Sequence, residues 1–241
     1  MLQNTKSIQG QKLAAHDGEI GSISDFYFDE TNWAIRYLVA NTGSWLTGRL
    51  VLISPHSLGR PNVEATALTV NLSRKQIENC PPIDTDKPVS RQYEIDYYHY
   101  YGWPGYWYGG GLWGATNYPA MLPFSPAERE AAQHSHDNDN PHLRSIKAVT
   151  GYALQATDGE IGSISGFLMD DKTWVIGGLV AETGHWYSGK QIIIPTARIG
   201  RISYEDSTVQ VNLTLADLKA TGENEVAAVG GSYPAATLSR S

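Results

Sequence analysis

Asp17-Gly18-Glu19-Ile20-Gly21-Ser22-Ile23-Ser24 returns unchanged as Asp158-Gly159-Glu160-Ile161-Gly162-Ser163-Ile164-Ser165, an offset of 141 residues. The same offset carries Trp33 to Trp174, Leu38-Val39-Ala40 to Leu179-Val180-Ala181, Trp45 to Trp186 and Val70-Asn71-Leu72 to Val211-Asn212-Leu213. About 29 of the 63 positions between Gly10 and Leu72 are identical without a gap. The period is too long for a solenoid, whose units span roughly 20 to 50 residues. The chain therefore reads as a domain duplication, each copy large enough for one small core.

Each copy reads as short strands divided by turns. Asp17-Gly18 and Asp158-Gly159 are tight-turn pairs, and Gly21 and Gly162 are read as turn residues with them. Ile20, Phe26 and Phe28 share one parity of the strand that follows, as do Ile161, Phe167 and Met169. Ile23 and Tyr27 (Ile164 and Leu168) put apolar residues on the other parity too, so both faces meet something. Further strands are expected at Trp33 to Ala40 and Trp174 to Ala181, and at Leu50 to Ile53 and Gln191 to Ile194, with a last one at Ala67 to Leu72 and Thr208 to Leu213. Proline at Pro55 and Pro195 stops the third of these. Ser73 and Gln76 have capping-box spacing, and Thr214 and Asp217 a weaker form of it, so short helices are expected near 74–79 and 215–220. The fold class is all-β: two small barrels, since closure removes exposed edges.

The Asp-Gly-Glu-Ile-Gly turn, the Phe-x-Phe-Asp strand ending at Asp29, and Val51-Leu52-Ile53-Ser54-Pro55 resemble the PRC-barrel family, as does the second copy through Ile192-Ile193-Ile194-Pro195. The resemblance covers roughly 5–79 and 146–220. That family is named for the cytoplasmic domain of the photosynthetic reaction-centre H subunit. A similar barrel forms the C-terminal half of the ribosome-maturation factor RimM. The resemblance implies docking and assembly in a bacterium, without a common catalytic site. The H subunit's membrane helix and the ribosome factor's N-terminal domain have no counterpart here. The domain plan is copy 1 over 5–80, a linker over 81–144, copy 2 over 145–222 and a disordered tail over 223–241.

The linker carries Tyr97, Tyr98, Tyr100, Tyr101, Trp103, Trp107 and Trp113 in a chain of 14 tyrosines and 7 tryptophans. Two readings are open. The rings pack over the barrels and staple the copies together, or they form an adhesive patch for a protein partner. No lysine or arginine lies between Arg91 and Arg129, which disfavours stacking on single-stranded nucleic acid. The net charge of −7 argues the same way. Trp45 and Trp186 sit on matched hairpins, either as core or rim rings or as a paired binding edge. Ser125-Pro126-Ala127-Glu128 predicts a short helix near 126–133.

His134, His136, Asp137, Asp139 and His142 have metal-ligand chemistry but no second cluster at finger spacing, so a solvated connector is expected and no metal or cofactor is assigned. Asp17 with Glu19, and Asp158 with Glu160, are turn chemistry rather than an acid–base pair. No P-loop, zinc-protease, nucleophile-elbow or dinucleotide motif is present. Cys80 is the only cysteine; it lacks a neighbouring base and excludes an internal disulfide. No signal peptide is read at the start, and no apolar run reaches the roughly 20 residues that span a bilayer. The expectation is a non-enzymatic cytoplasmic module for protein interaction, with self-association open, and without nucleic acid or membrane insertion. The alternatives are an accessory protein of photosynthetic assembly, by the resemblance, and a small-ligand or metal sensor using 134–142.

Overall fold

The computed structural model describes residues 1–83, 89–108, 110–120, 143–187 and 189–220, the Trp186 side chain excepted. The expected helix near 126–133, the run His134–His142 and the tail 223–241 lie outside the described residues. The strands are β1 (Leu2–Asn4), β2 (Lys12–Ala15), β3 (Gly18–Asp29), β4 (Ala34–Asn41), β5 (Leu50–Ile53), β6 (Ala67–Thr69), β7 (Leu143–Ser145), β8 (Ala153–Gln155), β9 (Glu160–Asp170), β10 (Ile176–Thr183), β11 (Gln191–Pro195), β12 (Ile199–Ser203) and β13 (Thr208–Val211). Helices are short: α1 (Thr5–Ile8), α2 (Arg74–Glu78) and α3 (Arg91–Tyr101) are joined by one over 215–220.

The chain is mostly β. One sheet runs β5-β4-β3-β2-β6 with β7 against β3; the other contains β11-β10-β9-β8-β13-β12. Strands β2 with β6 and β8 with β13 pair in parallel, and β2–β3, β3–β4, β4–β5, β3–β7, β8–β9, β10–β11 and β12–β13 are antiparallel. Among the described residues each path is open at its ends, so the strands do not close a hydrogen-bonded barrel. Two compact units result. One comprises Met1–Lys147 with Met169–Ile176, the other Ala148–Leu168 with Gly177–Ser241.

Strand β3 explains why both parities looked apolar. Its register slips by one residue against β2 between Leu13 and Ala14, and against β4 between Ile23 and Asp25. Each slip is a bulge that turns the following side chains over. Ile20, Ile23, Phe26 and Phe28 consequently all point inward, each at most 1% exposed. In the second unit Ile161, Ile164 and Phe167 are buried likewise.

Gly21 and Gly162 are required by contact as well as by conformation. Their φ values are +128° and +143°, and a Cβ would lie 1.9 Å from the Asn41 carbonyl oxygen or 2.0 Å from that of Glu182. Asp17 and Asp158 do more than turn the chain. Asp17 Oδ1 accepts from the Arg74 N–H at 2.8 Å, and Asp158 Oδ1 from the Leu215 N–H at 2.8 Å, so each caps the closing helix of its repeat. The capping box at Ser73 and Gln76 is complete in both directions.

The tryptophans expected to open the second strand sit before it, Trp33 in the turn next to β4 and Trp174 two residues ahead of β10. Trp33 and Trp174 have φ of 55° and 57°, uncommon for a bulky residue. Within the first unit the Trp33 carbonyl accepts from Ile176 N–H at 2.7 Å and the Trp174 carbonyl from Ile35 N–H at 2.8 Å. Phe28 stacks on Trp33 at 5.5 Å.

Candidate functional site

The linker contributes a helix that the sequence analysis did not assign. Ser90 caps α3 by accepting from Tyr93 N–H at 3.2 Å. Gly102, at φ 68°, ends it in left-handed geometry, and the Trp103 N–H returns to the Tyr98 carbonyl at 2.9 Å. Glu94, Tyr97, Tyr98 and Tyr101 recur at i, i+3, i+4 and i+7, which places them on one face. Glu94, Tyr97 and Tyr98 on that face are buried, the first two completely. The signal was available in the spacing, the Ser cap and the Gly stop. It was masked because amphipathic tyrosines and a glutamate do not register as an apolar stripe.

This face packs on β4, β5 and the turn Pro55–Ser57. The Tyr97 hydroxyl donates to the Leu52 carbonyl at 3.1 Å and accepts from the Ser54 N–H at 3.0 Å. Strand β5 ends its sheet, so this one hydroxyl satisfies an outward donor and an outward acceptor of an edge strand. Tyr37 meets Tyr97 edge-on at 5.3 Å, and Tyr101 stacks on Trp103 at 4.6 Å.

A charged network lies inside these rings. Tyr37 and Tyr106 hydroxyls donate to Glu94 Oε1 at 3.0 and 2.9 Å, and Arg91 donates to Oε2 at 2.9 Å. Burial pushes the Glu94 carboxyl up to about 7 against the pull of Arg91 and the two phenols. Arg36, 1% exposed, donates to Asp29 Oδ2 at 3.0 Å and to the Leu112 carbonyl at 2.7 Å. Its guanidinium lies 3.8 Å from the Tyr106 ring centre and 4.9 Å from that of Trp113. Burial alone would raise the Asp29 carboxyl; Arg36 and Asn32 outweigh it and hold the group below its ordinary range. His56 lies under Trp113 and Trp103 and donates from Nδ1 to the Ala120 carbonyl at 2.9 Å, while its Nε2 has no hydrogen-bond partner among the described residues. Burial lowers this imidazole to about 4.

The residues picked from sequence separate by exposure. Tyr97, Tyr98, Trp103 and Trp113 are buried, Tyr101 and Trp107 are half-buried, and Tyr100 is 41% exposed. Trp107 holds the Arg91 guanidinium at 4.4 Å, and Trp113 donates from Nε1 to the Thr173 carbonyl at 2.9 Å. Trp45 is half-buried, donates to the Ile20 carbonyl at 2.8 Å and carries Arg74 at 4.5 Å. The Trp186 side chain lies outside the described residues. Cys80 is buried, which raises its thiol.

No family model matches this chain, and no curated protein is significantly similar to it.

The second unit presents the same strand face with different cover. Arg36, Tyr37, Leu52, Ser54 and His56 correspond at the 141-residue offset to Gly177, Gly178, Ile193, Pro195 and Ala197. Gly177 and Ala197 are exposed, and Ile193 and Pro195 half-buried. A Cβ on Gly178 would lie 3.0 Å from Ile193 Cγ2, so Ile193 occupies the room a side chain there would need. Pro195 has no N–H to leave unpaired where Ser54 needs Tyr97. The two edge strands are thus managed differently, one by a tyrosine hydroxyl and one by proline.

The buried acids serve structure. Asp25 accepts from the Ser145 hydroxyl and the N–H groups of Phe26 and Lys147, fixing the start of the second repeat, and burial raises its carboxyl. Among the described residues no three His, Cys, Asp or Glu side chains converge as a metal site, and no helix is long and apolar enough to cross a membrane.

Proposed function

We propose that this chain is a non-catalytic assembly module built from two PRC-like β units, working in a bacterial cytoplasm, with a protein partner held by the second unit. The observation that carries this reading is the contrast between the two equivalent faces. In the first unit the β4–β5 face is filled by the chain's own tyrosines and tryptophans, and its buried carboxylates Asp25, Asp29 and Glu94 are saturated by fixed donors. Groups so engaged have no free geometry for acid–base or nucleophilic work. In the second unit the matching face is small, apolar and partly exposed at Gly177, Ile193, Pro195 and Ala197. The occupant that this face suits is a Tyr- and Trp-bearing segment of another protein, docked as α3 docks on the first unit.

The test is a binary reconstitution. Cross-linked partners are identified from native cells, then purified and titrated against the wild-type chain and against I193D and Y100S. The reading expects I193D to weaken binding at least tenfold with unchanged thermal stability, and Y100S to leave it intact. Equal affinity of wild type and I193D for every partner would reject the second-unit face.

A further inference from the structure

The cover over the first unit's sheet contains two ionisable groups at its seal. Glu94 comes from the cover and is fully buried against β4; His56 comes from the sheet side and is 5% exposed beneath the cover. Each is tied across the seam, Glu94 to Tyr37 of β4 and His56 to the Ala120 carbonyl. We propose that α3 and the described residues after it, 102–108 and 110–120, form a strap over β4, β5 and the turn Pro55–Ser57 whose closure Glu94 and His56 govern in opposite directions, each opposing closure when it carries charge.

The groups facing each are few. Glu94 meets Arg91 and Tyr98 of its own helix, Tyr37 and Arg36 of β4, and Tyr106 of the segment after α3. His56 meets Arg36 of β4 and Tyr98 of α3, with the uncharged rings of Trp103 and Trp113 around it. Behind Arg36 stands Asp29 of β3, already engaged with it. A proton arriving on His56 would put a second buried cation beside Arg36. A proton leaving Glu94 creates a carboxylate that Arg91 neutralises only in part and that burial disfavours.

The two groups act in opposite directions. Glu94 binds its proton more tightly when covered, at about 7 against 4.5, so its contribution to closure is complete below 4.5 and is lost as pH rises through 7. His56 binds its proton less tightly when covered, at about 4 against 6.5, so its contribution is complete above 6.5 and is lost as pH falls through 4. Each amounts to a roughly 300-fold effect on the open–closed equilibrium. In the wild-type chain the two oppose each other, so each shows fully only when the other is removed.

The experiment is hydrogen exchange of the full chain, corrected for intrinsic rates, on peptides covering 50–57 and 91–103. E94Q should open by on the order of 100-fold as pH falls from 8 to 4, and H56N by a similar factor as pH rises from 4 to 8. A peptide covering 191–195 should keep its protection throughout. Slopes of one sign in both variants, or equal loss of protection at 191–195, would overturn the strap. A wild-type readout keeps the idea testable if either variant misfolds: the His56 ring resonance should not titrate above pH 5. Titration near pH 6.5 refutes it.

Discussion

Replacing Tyr97 by phenylalanine isolates the most economical contact in the first unit. The ring, its edge-on partner Tyr37 and the helix would remain, and only a hydroxyl is lost. That hydroxyl bridges the Ser54 N–H and the Leu52 carbonyl, and both residues are buried, at 0% and 1% exposure. Neither group can turn to water without moving the edge strand. An unsatisfied buried donor or acceptor costs about 1–3 kcal/mol, so two cost about 2–6 kcal/mol together. For a chain of this size that lowers Tm by on the order of 4–24 °C. Urea unfolding followed by tryptophan fluorescence measures the loss. Exchange at the Ser54 amide should accelerate more than at its ladder-bonded neighbour Ile53. Tyr100 supplies the control, because its hydroxyl donates to the Gln76 carbonyl at 2.9 Å on the surface, where water replaces it. Y100F should cost less than about 0.5 kcal/mol. If Y97F and Y100F proved equally mild, the hydroxyl would not be what closes the edge of β5, and the account of how this sheet avoids edge pairing would fail.

Other perturbations probe the repeat and the buried ion pair. G21A and G162A should each prevent stable folding of their unit or cost more than about 3 kcal/mol, whereas G43A, at φ 59° with open space around it, should cost about 1 kcal/mol; thermal scans of the three decide. D17A and D158A should lose similar amounts, about 1 kcal/mol each, since each removes one helix cap, and unequal losses in urea melts would deny the equivalence. D29N strands the Arg36 guanidinium and should cost about 3–5 kcal/mol. The Asp29 carboxyl is held below 3.8, so its contribution is present above that value and lost as pH falls through the lower folded value. D29N should remove that part of the acid destabilisation in a pH series of melts.

The elements most legible in the sequence were those whose residues answer to a local rule. The Ser73–Gln76 box follows from orphaned N–H groups and stands where the pattern put it, whereas Gly21 and Gly162, read as turn glycines, stand inside β3 and β9, and β11 runs through Pro195. The strap was harder to read because its chemistry is non-local. Nothing local to Arg36 marks it as buried; it is so because Asp29 and two rings from beyond residue 105 receive it. Helix α3 reads as linker because its inward face is tyrosine and glutamate, residues whose burial depends on hydroxyl partners supplied by β4 and β5. Likewise, the alternation in β3 is obscured by bulges, whose positions depend on register with neighbouring strands.

Comparing the two repeats shows why a buried arginine can be accommodated in one of them. Asp29 and its equivalent Asp170 share a task in the turn that follows. Asp29 Oδ1 accepts from the N–H groups of Thr31 and Asn32 at 2.9 and 3.3 Å, and Asp170 Oδ1 from those of Lys172 and Thr173 at 3.0 and 2.9 Å. The turn thus requires a carboxylate in both copies. In the first, its second oxygen is aimed at position 36, where a guanidinium finds a counter-ion already fixed in place. In the second, position 177 is glycine, and Asp170 Oδ2 accepts from the chain's N-terminal ammonium instead, at 3.1 Å. Preorganisation of the acid lowers the cost of burying Arg36, and the rings of Tyr106 and Trp113 complete its solvation. The copies thus differ at positions 36, 37, 54 and 56 on one face: a charge sits where the turn's carboxylate is its partner, and the aromatic cover excludes water from the pair.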